Sequence, residues 1–234
     1  MMKQRFTDKH PILGLLLWTY GAFVISEMLF GVIATFAIGE NGLEPGTATG
    51  IGGSVGSILV LVFWYLHNRK EYHFMPRKGD IGGSLKLIFL PMLVYWILLF
   101  GAYAYFAKGF PFAPVGLKGI MMASMAGLVE EVCFREIAVS YMAGHWMSEK
   151  RIPLIAVLSG FLFGLTHMTN AIGGWEITSA LLQTLLCIFM GVFYASIYLR
   201  KGNVWVLCLC GFFYIRRSKR QEVIDLWNYK WSRD

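Results

Sequence analysis

Long apolar segments separated by short polar connections make up most of the chain. Six of them approach or exceed the ~20 residues that an α-helix needs to cross a bilayer: residues 12–38, 48–67, 82–106, 114–146, 152–170 and 177–199. The first is too long for a signal-peptide core and precedes no small-residue cleavage site, so we expect it to remain as a helix. A seventh, 203–215, is too short to cross comfortably. Since no alternating barrel strands occur, the pattern predicts an all-α, polytopic transmembrane helical bundle with six full spans and a short atypical seventh segment.

Composition supports this prediction and excludes a water-soluble protein. Hydrophobic residues make up 56% of the chain and charged residues 15%, and the mean hydropathy is +0.56. The net charge is +7, but the basic residues lie in short clusters between apolar segments. Such clusters favour anionic lipid headgroups and argue against nucleic acid. We therefore expect a multi-pass protein of the cell membrane whose first partner is the lipid bilayer.

The basic clusters also predict an orientation. Lys3, Arg5 and Lys9 precede the first span, and a second cluster at residues 69–86 follows the second span, so both are expected in the cytoplasm. The cluster at residues 216–220 breaks this alternation, because it would lie outside if the seventh segment crossed. Two interpretations stay open: the seventh segment does not span, or the carboxyl end is unusual.

Nothing in the sequence separates domains, since no internal repeat, low-complexity tract or long linker is present. We expect a single integral membrane domain over residues 1–234, with an atypical basic carboxyl end at residues 207–234. Two glycine pairs, Gly52 with Gly56 and Gly160 with Gly164, have the small-xxx-small spacing that lets helix backbones approach closely. These pairs predict helix packing.

Ionisable residues inside the apolar segments are the candidates for chemistry, because each is costly in a membrane unless it is paired or functional. The densest group is Glu130, Glu131, Arg135 and Glu136. At about 100° per residue, Glu131 and Arg135 lie about 40° apart on one helical face, so they can form an i,i+4 ion pair. A structural and a catalytic role are both open for this pair, while Glu130 faces elsewhere.

His167 is the second candidate, at the end of an apolar helix with no other ionisable side chain. The polar turn at residues 147–151 separates this helix from the one that carries Glu130. Glu130 lies about 28 Å from one side of the turn and His167 about 24 Å from the other, so an antiparallel hairpin places them at one depth. A carboxylate and an imidazole at one level in a water-poor bundle favour a metal or general-base site over a structural pair.

These residues also carry a family resemblance. Residues 130–135, Glu-Glu-Val-Cys-Phe-Arg, match the EExxxR motif, and residues 163–167, Phe-Gly-Leu-Thr-His, match the FxxxH motif of the CAAX protease and bacteriocin-processing (CPBP) family of intramembrane metalloproteases. The likeness covers about residues 80–206, up to a Gly-Asn-Val-Trp segment at residues 202–205 similar to the family's approach to its last motif. The resemblance implies that Glu130 and His167 form the catalytic centre with a divalent metal, expected to be zinc, and that Glu131 and Arg135 support them.

The last motif of the family departs from this pattern. Its histidine aligns with Gly211 and its asparagine or aspartate with Ile215, and no histidine follows His167. Zinc held by Glu130 and His167 alone lacks the usual three protein ligands, and Cys210 beside the missing position is a weak substitute.

Three functions follow from this pattern. The first is a CPBP-type metalloendopeptidase that hydrolyses a peptide bond in a membrane-associated protein or peptide, impaired by the altered last motif. The second is a catalytically inactive binding or bacteriocin-immunity-type protein on the same scaffold. The third is a small transporter that uses Glu27, Glu130 and Arg135, for which no pair of broken helices is evident.

Overall fold

The computed structural model describes residues 6–38, 43, 46–68, 80–107 and 116–215. The elements of the first half are α1 (Phe6–Lys9), α2 (Pro11–Val24), a π-helical turn (Ile25–Leu29), α3 (Phe30–Ile38), α4 (Thr47–Asn68) and α5 (Ile81–Ala107). The elements of the second half are α6 (Leu117–Glu131), a π-helical turn (Val132–Ile137), α7 (Ala138–Trp146), a 3₁₀ turn (Glu149–Arg151), α8 (Ile152–Thr166), α9 (Thr169–Ile172), α10 (Ile177–Lys201) and α11 (Val204–Ile215). No strand occurs in these ranges, so the predicted all-α class is confirmed.

Five helical stretches are long and apolar enough to cross a membrane: Pro11–Ile38, Thr47–Asn68, Ile81–Leu98, Glu149–Ile172 and Ile177–Lys201. The remaining predicted span, residues 114–146, appears as the continuous helix from α6 through α7, but it carries the charged cluster. Large apolar side chains such as Phe36, Phe89 and Phe189 are more than 60% exposed on the outer surface. Such a surface suits lipid and not water. The chain is therefore an integral membrane protein built as a polytopic helical bundle, as predicted.

Glycines set the closest approaches between helices, as the sequence predicted. A Cβ at Gly52 would collide with the Phe30 carbonyl oxygen across the α3–α4 contact. A Cβ at Gly160 would lie 2.5 Å from the backbone nitrogen of Val192, and one at Gly164 would collide with Ile188. The backbones of α8 and α10 can pack this tightly only because these positions lack side chains.

The helix formed by α6, the second π turn and α7 occupies the centre of the bundle. Every residue from Glu131 to Ala143 is buried, so this helix has no lipid-facing side over that length. α4 and α11 pack against α6, while α2 and α8 pack against the π turn and α7. Glu131, Arg135 and Glu136 of the charged cluster lie on this buried length, so their side chains are directed into protein, while Glu130 just before it is only partly buried.

Two polar contacts tie the ends of the helices together. Lys201, at the end of α10, places its Nζ 2.7 Å from Oδ2 of Asp80, just before α5. The Tyr141 hydroxyl of α7 donates to the Thr7 carbonyl oxygen at 2.9 Å. Both contacts join segments that the predicted orientation places on the cytoplasmic side. The remaining basic residues behind that prediction, at 3, 5, 69–78 and 216–220, lie outside the described residues.

α11 is the predicted short seventh segment. Its twelve residues extend about 18 Å, well short of the ~30 Å hydrocarbon core. Gly202 ends α10 with a left-handed φ of 67°, and Asn203 caps α11 by accepting a hydrogen bond from the Val206 amide at 3.0 Å. The Gly-Asn pair therefore forms a sharp turn that folds α11 back onto α6.

Candidate active site

The charged cluster lies where the central helix changes from α to π geometry. α6 ends at Glu131, and residues 132–137 form a π turn before α7 begins. Ser159 of α8 donates its hydroxyl to the Phe134 carbonyl oxygen inside this turn, at 2.8 Å. A π turn has one more residue per hydrogen-bonded turn than an α-helix, so it rotates the residues that follow it. The 3.6-residue period used on the sequence could not reveal this change.

Glu131 and Arg135 form the predicted ion pair. Nη1 of Arg135 lies 3.0 Å from Oε1 of Glu131, and the two side chains are 0% and 2% exposed. The two atoms are close enough for an ion pair, but the contact does not have the angles of a hydrogen bond. Within the described residues, Glu131 Oε2 and the guanidinium nitrogens of Arg135 have no hydrogen-bond partner. The attraction is therefore mainly Coulombic, and burial makes each charge strongly dependent on the other.

Two aromatic rings complete the surroundings of Arg135. The guanidinium carbon lies 4.4 Å from the ring centroid of Phe163 on α8 and 5.5 Å from that of Tyr194 on α10. Both distances fall within the range of a cation–π interaction. Sequence reasoning did not assign either ring to the site, although Phe163 begins the FxxxH motif.

Glu130 has different surroundings from Glu131. It is only partly buried, and in the described part of the chain its carboxylate makes no hydrogen bond or ion pair. Glu27, in the first π turn, is close enough to interact electrostatically with Glu130. The sequence named Glu27 only in the transporter interpretation. Among the described residues it has no basic partner, so its carboxyl group is not part of an ion pair there.

His167 caps the end of α8 and is partly buried. Its Nδ1 lies 3.3 Å from the Phe163 carbonyl oxygen and 3.2 Å from the Thr166 hydroxyl, and its ring packs edge-on against Phe163 at 5.0 Å. A proton on Nδ1 can be donated to that carbonyl, and in this tautomer Nε2 is the ring nitrogen with the chemistry to accept a proton or bind a metal. The backbone thus holds the imidazole in a defined orientation.

The register between α8 and the central helix relates His167 to Glu130. α8 follows α7 after the short turn at residues 147–151 and packs against both α7 and the π turn, so it runs antiparallel to the central helix, with Phe163 at the level of Arg135. One further turn along α8 from Phe163 is His167, and one turn back from Arg135 on the central helix are Glu130 and Glu131. This register supports the depth match expected from the sequence.

Glu136, the fourth charged residue of the cluster, has a separate environment. The Tyr198 hydroxyl of α10 donates to its Oε2 at 2.7 Å, and the Ser140 hydroxyl lies 3.4 Å from the same phenol. All three residues are buried. The sequence placed Glu136 in the cluster without a partner, because a tyrosine sixty-two positions away leaves no local pattern.

The position aligned with the missing histidine faces the same region. Gly211 of α11 packs against α6, where an added Cβ would lie 3.1 Å from the Gly127 Cα. Gly127 is one turn before Glu130 and Glu131. In the described ranges no group of three His, Cys, Asp or Glu side chains is arranged to hold a metal ion. The residues present there do not fit a three-ligand zinc site.

Two apolar grooves flank α11. One, of about 720 Å³, lies against α5 and is lined by Lys86, Phe89, Trp96 and Cys210 among others. The other, of about 350 Å³, lies against α6 and includes Ser124 and Cys208. Cys210 therefore borders a groove as well as adjoining Gly211.

The fold and the buried ionisable residues define an integral membrane protein with a polar centre inside its helical bundle. Residues 112–214 match the model of the family described as Rce1-like, type II CAAX prenyl endopeptidase Rce1-like. The match confirms the resemblance to the CPBP family of CAAX proteases, and the matched region contains both motifs and Gly211. No curated protein and no solved structure matches the chain.

Proposed function

We propose that this chain is a membrane-embedded endopeptidase of the CAAX-protease type that hydrolyses a peptide bond in a membrane-associated protein or peptide. The observation that carries the proposal is the contact of Arg135 with both Glu131 and Phe163, which joins the two family motifs beside Glu130, a carboxylate with no ion-pair partner among the described residues. The family match supports the same class of activity. A location in the cell membrane is part of the proposal.

The residues of the site have different roles in this proposal. Glu130, partly exposed and without a bonding partner among the described residues, is suited to accept a proton from water. Glu131 is tied to Arg135 and therefore serves to hold the local geometry. His167, whose Nδ1 lies 3.3 Å from the Phe163 carbonyl oxygen, is the general base or ligand that the proposal assigns to the depth of Glu130.

The resemblance implies a metal, and the ligands available for it differ from those of an ordinary zinc site. A catalytic zinc site ordinarily uses three protein ligands, and in the described part of the chain only Glu130 and His167 are candidates, with Gly211 at the third position. We derive no step through a metal for that reason. The proposal therefore includes a lower rate of hydrolysis than that of a protein whose site has all three ligands.

The test is cleavage of a membrane-anchored reporter peptide by the full chain in nanodiscs. We expect slow cleavage by the wild type that is lost in Glu130→Gln and in His167→Ala. Glu149→Gln, at an exposed glutamate in the α7–α8 connection, is the matched control and should cleave like the wild type. Equal cleavage by the wild type and Glu130→Gln would contradict the proposal.

A second candidate is a binding or immunity-type protein that keeps the scaffold without the chemistry. The packing of Gly211 against Gly127 favours it, since the third donor is absent from that contact. In this case Glu130→Gln should leave the cellular phenotype of the protein unchanged, whereas substitutions that disturb the α8–α10 packing should abolish it.

A further inference from the structure

The buried Arg135 guanidinium has few polar partners to balance its charge. A single carboxylate, Glu131, balances it at 3.0 Å, and within the described residues no hydrogen bond satisfies its nitrogens. A charge in a membrane interior is costly unless its surroundings compensate for lost water. Here the additional compensation comes from the faces of two aromatic rings.

The ring of Tyr194 is the part of this arrangement that neither motif contains. It lies 5.5 Å from the guanidinium carbon and is itself 5% exposed. Its helix, α10, is fixed against α8 at Gly191, where an added Cβ would lie 2.6 Å from the Gly160 Cα. Tyr194 follows Gly191 by about one turn, so this close approach of α10 to α8 limits where its ring can lie.

Phe163 is the second ring beside the guanidinium. It contacts Arg135 at 4.4 Å and His167 at 5.0 Å, so the ring that packs against the guanidinium also packs against His167. The Arg135 side chain is thus confined by rings from two helices, and its position fixes the Glu131 carboxylate next to Glu130.

We propose that Tyr194 is a positioning residue of the candidate active site: its aromatic face holds the Arg135 guanidinium against Phe163 and thereby orients Glu131 beside Glu130. This inference rests on the proposed peptidase function for its effect on rate. Whether Tyr194 places the Arg135 guanidinium can be tested without measuring peptidase activity.

The experiment compares Tyr194→Phe, which keeps the ring and removes the hydroxyl, with Tyr194→Leu, which removes the ring. Phe189→Leu is the matched control, because Phe189 lies on the same helix and is 65% exposed to lipid. Two properties are measured on the full chain: the rate of reporter cleavage and the ¹H–¹⁵N signal of the Arg135 side-chain Nε, assigned with Arg135→Lys. Ring currents from flanking aromatics displace that signal.

We expect Tyr194→Leu to lower kcat about 10-fold with little change in KM, the effect of losing one desolvated cation–π contact. It should also move the Arg135 Nε signal. Tyr194→Phe should keep most of the rate and a near-wild-type signal, and Phe189→Leu should match the wild type in both. Thermal unfolding of each variant identifies any that fails to fold.

Two results would overturn the inference: an unmoved Arg135 signal in folded Tyr194→Leu, or an equal loss of rate in Tyr194→Phe and Tyr194→Leu. Failure of the proposed function has a different form, because cleavage is then absent or insensitive to Glu130→Gln. In that event the Arg135 signal alone decides whether Tyr194 holds the guanidinium.

Discussion

The guanidinium carbon of Arg135 lies 4.4 Å from the ring centroid of Phe163, so the last residue of the EExxxR motif contacts the first residue of the FxxxH motif. The two motifs are therefore in direct contact. Their occurrence together on neighbouring helices has a physical reason, because the cation of the first motif packs against the aromatic ring of the second.

The Glu131–Arg135 pair allows a prediction about stability. Glu131→Gln leaves the Arg135 charge buried without its counter-ion, and we expect it to destabilise the protein by about 3–5 kcal/mol. The double variant Glu131→Gln/Arg135→Met removes both charges and should recover much of that loss. Equilibrium unfolding in detergent measures both, with Glu149→Gln as the exposed control. A double variant less stable than the single one would show that the pair is not the source of the effect.

A second prediction concerns the buried hydrogen bond between Tyr198 and Glu136, 2.7 Å long. Tyr198→Phe removes the donor and leaves the buried carboxyl group unsatisfied, so a loss of about 1–3 kcal/mol is expected. Glu136→Gln keeps an acceptor for the phenol and should cost less. The control is Tyr65→Phe, at a tyrosine that is 43% exposed. The prediction fails if Tyr65→Phe and Tyr198→Phe have equal unfolding midpoints.

Most of the fold could be predicted from the sequence, because lipid imposes simple rules on length and polarity. Spans such as residues 48–67 and 177–199 appear in the structure as Thr47–Asn68 and Ile177–Lys201. The glycine pairs marked the α3–α4 and α8–α10 contacts for a similar reason: close approach of two backbones demands a missing side chain. The two π turns could not be predicted, since they depend on packing between helices and leave the apolar pattern unchanged.

The site was predictable only where its contacts are local. Glu131 and Arg135 are four residues apart, so helical spacing was enough to pair them. Tyr194 and Tyr198 lie about sixty residues from the side chains that they contact, and α10 carries no motif that would identify them. Their contribution depends on how α10 docks against α8.

The glycine contact between α8 and α10 leads to a third prediction. A methyl group at Gly160 would lie 2.5 Å from the Val192 backbone nitrogen, so Gly160→Ala must push the helices apart and should destabilise the protein by about 1–3 kcal/mol. Gly21→Ala is the matched control, since nothing lies within 4 Å of a Cβ there, and alanine is the better helix former. Equal stability of these two alanine variants would contradict close packing at Gly160.

The Asp80–Lys201 contact predicts a pH dependence. The hydrogen bond from Lys201, and next the one from the Gly83 amide, hold the pKa of Asp80 below its ordinary value. A depressed carboxyl pKa contributes stability above the unfolded pKa of about 3.9, and this contribution is lost as the pH falls through the folded pKa. Asp80→Asn should therefore be less stable than the wild type at pH 7, with the difference vanishing in acid. Unfolding midpoints in a nonionic detergent between pH 7 and pH 2 measure this, and a pH-independent difference would refute it.

The last prediction concerns Gly211, which packs against Gly127 one turn before Glu130 and Glu131. Gly211→His would restore an imidazole at the position where the family has its last histidine. Its Cβ would lie 3.1 Å from the Gly127 Cα, so the Cβ itself requires a shift of only a few tenths of an ångström.

We expect purified Gly211→His to bind zinc more tightly than the wild type, with about one ion per chain, because it supplies the third protein ligand that catalytic zinc sites use. Gly211→Leu adds comparable bulk without a donor and should bind no more zinc than the wild type. The gain should disappear in Gly211→His/His167→Ala, since both imidazoles would serve one site. If that double variant kept the added zinc, position 211 would not face the proposed centre at Glu130 and His167, and the alignment of the last motif with Gly211 would be wrong.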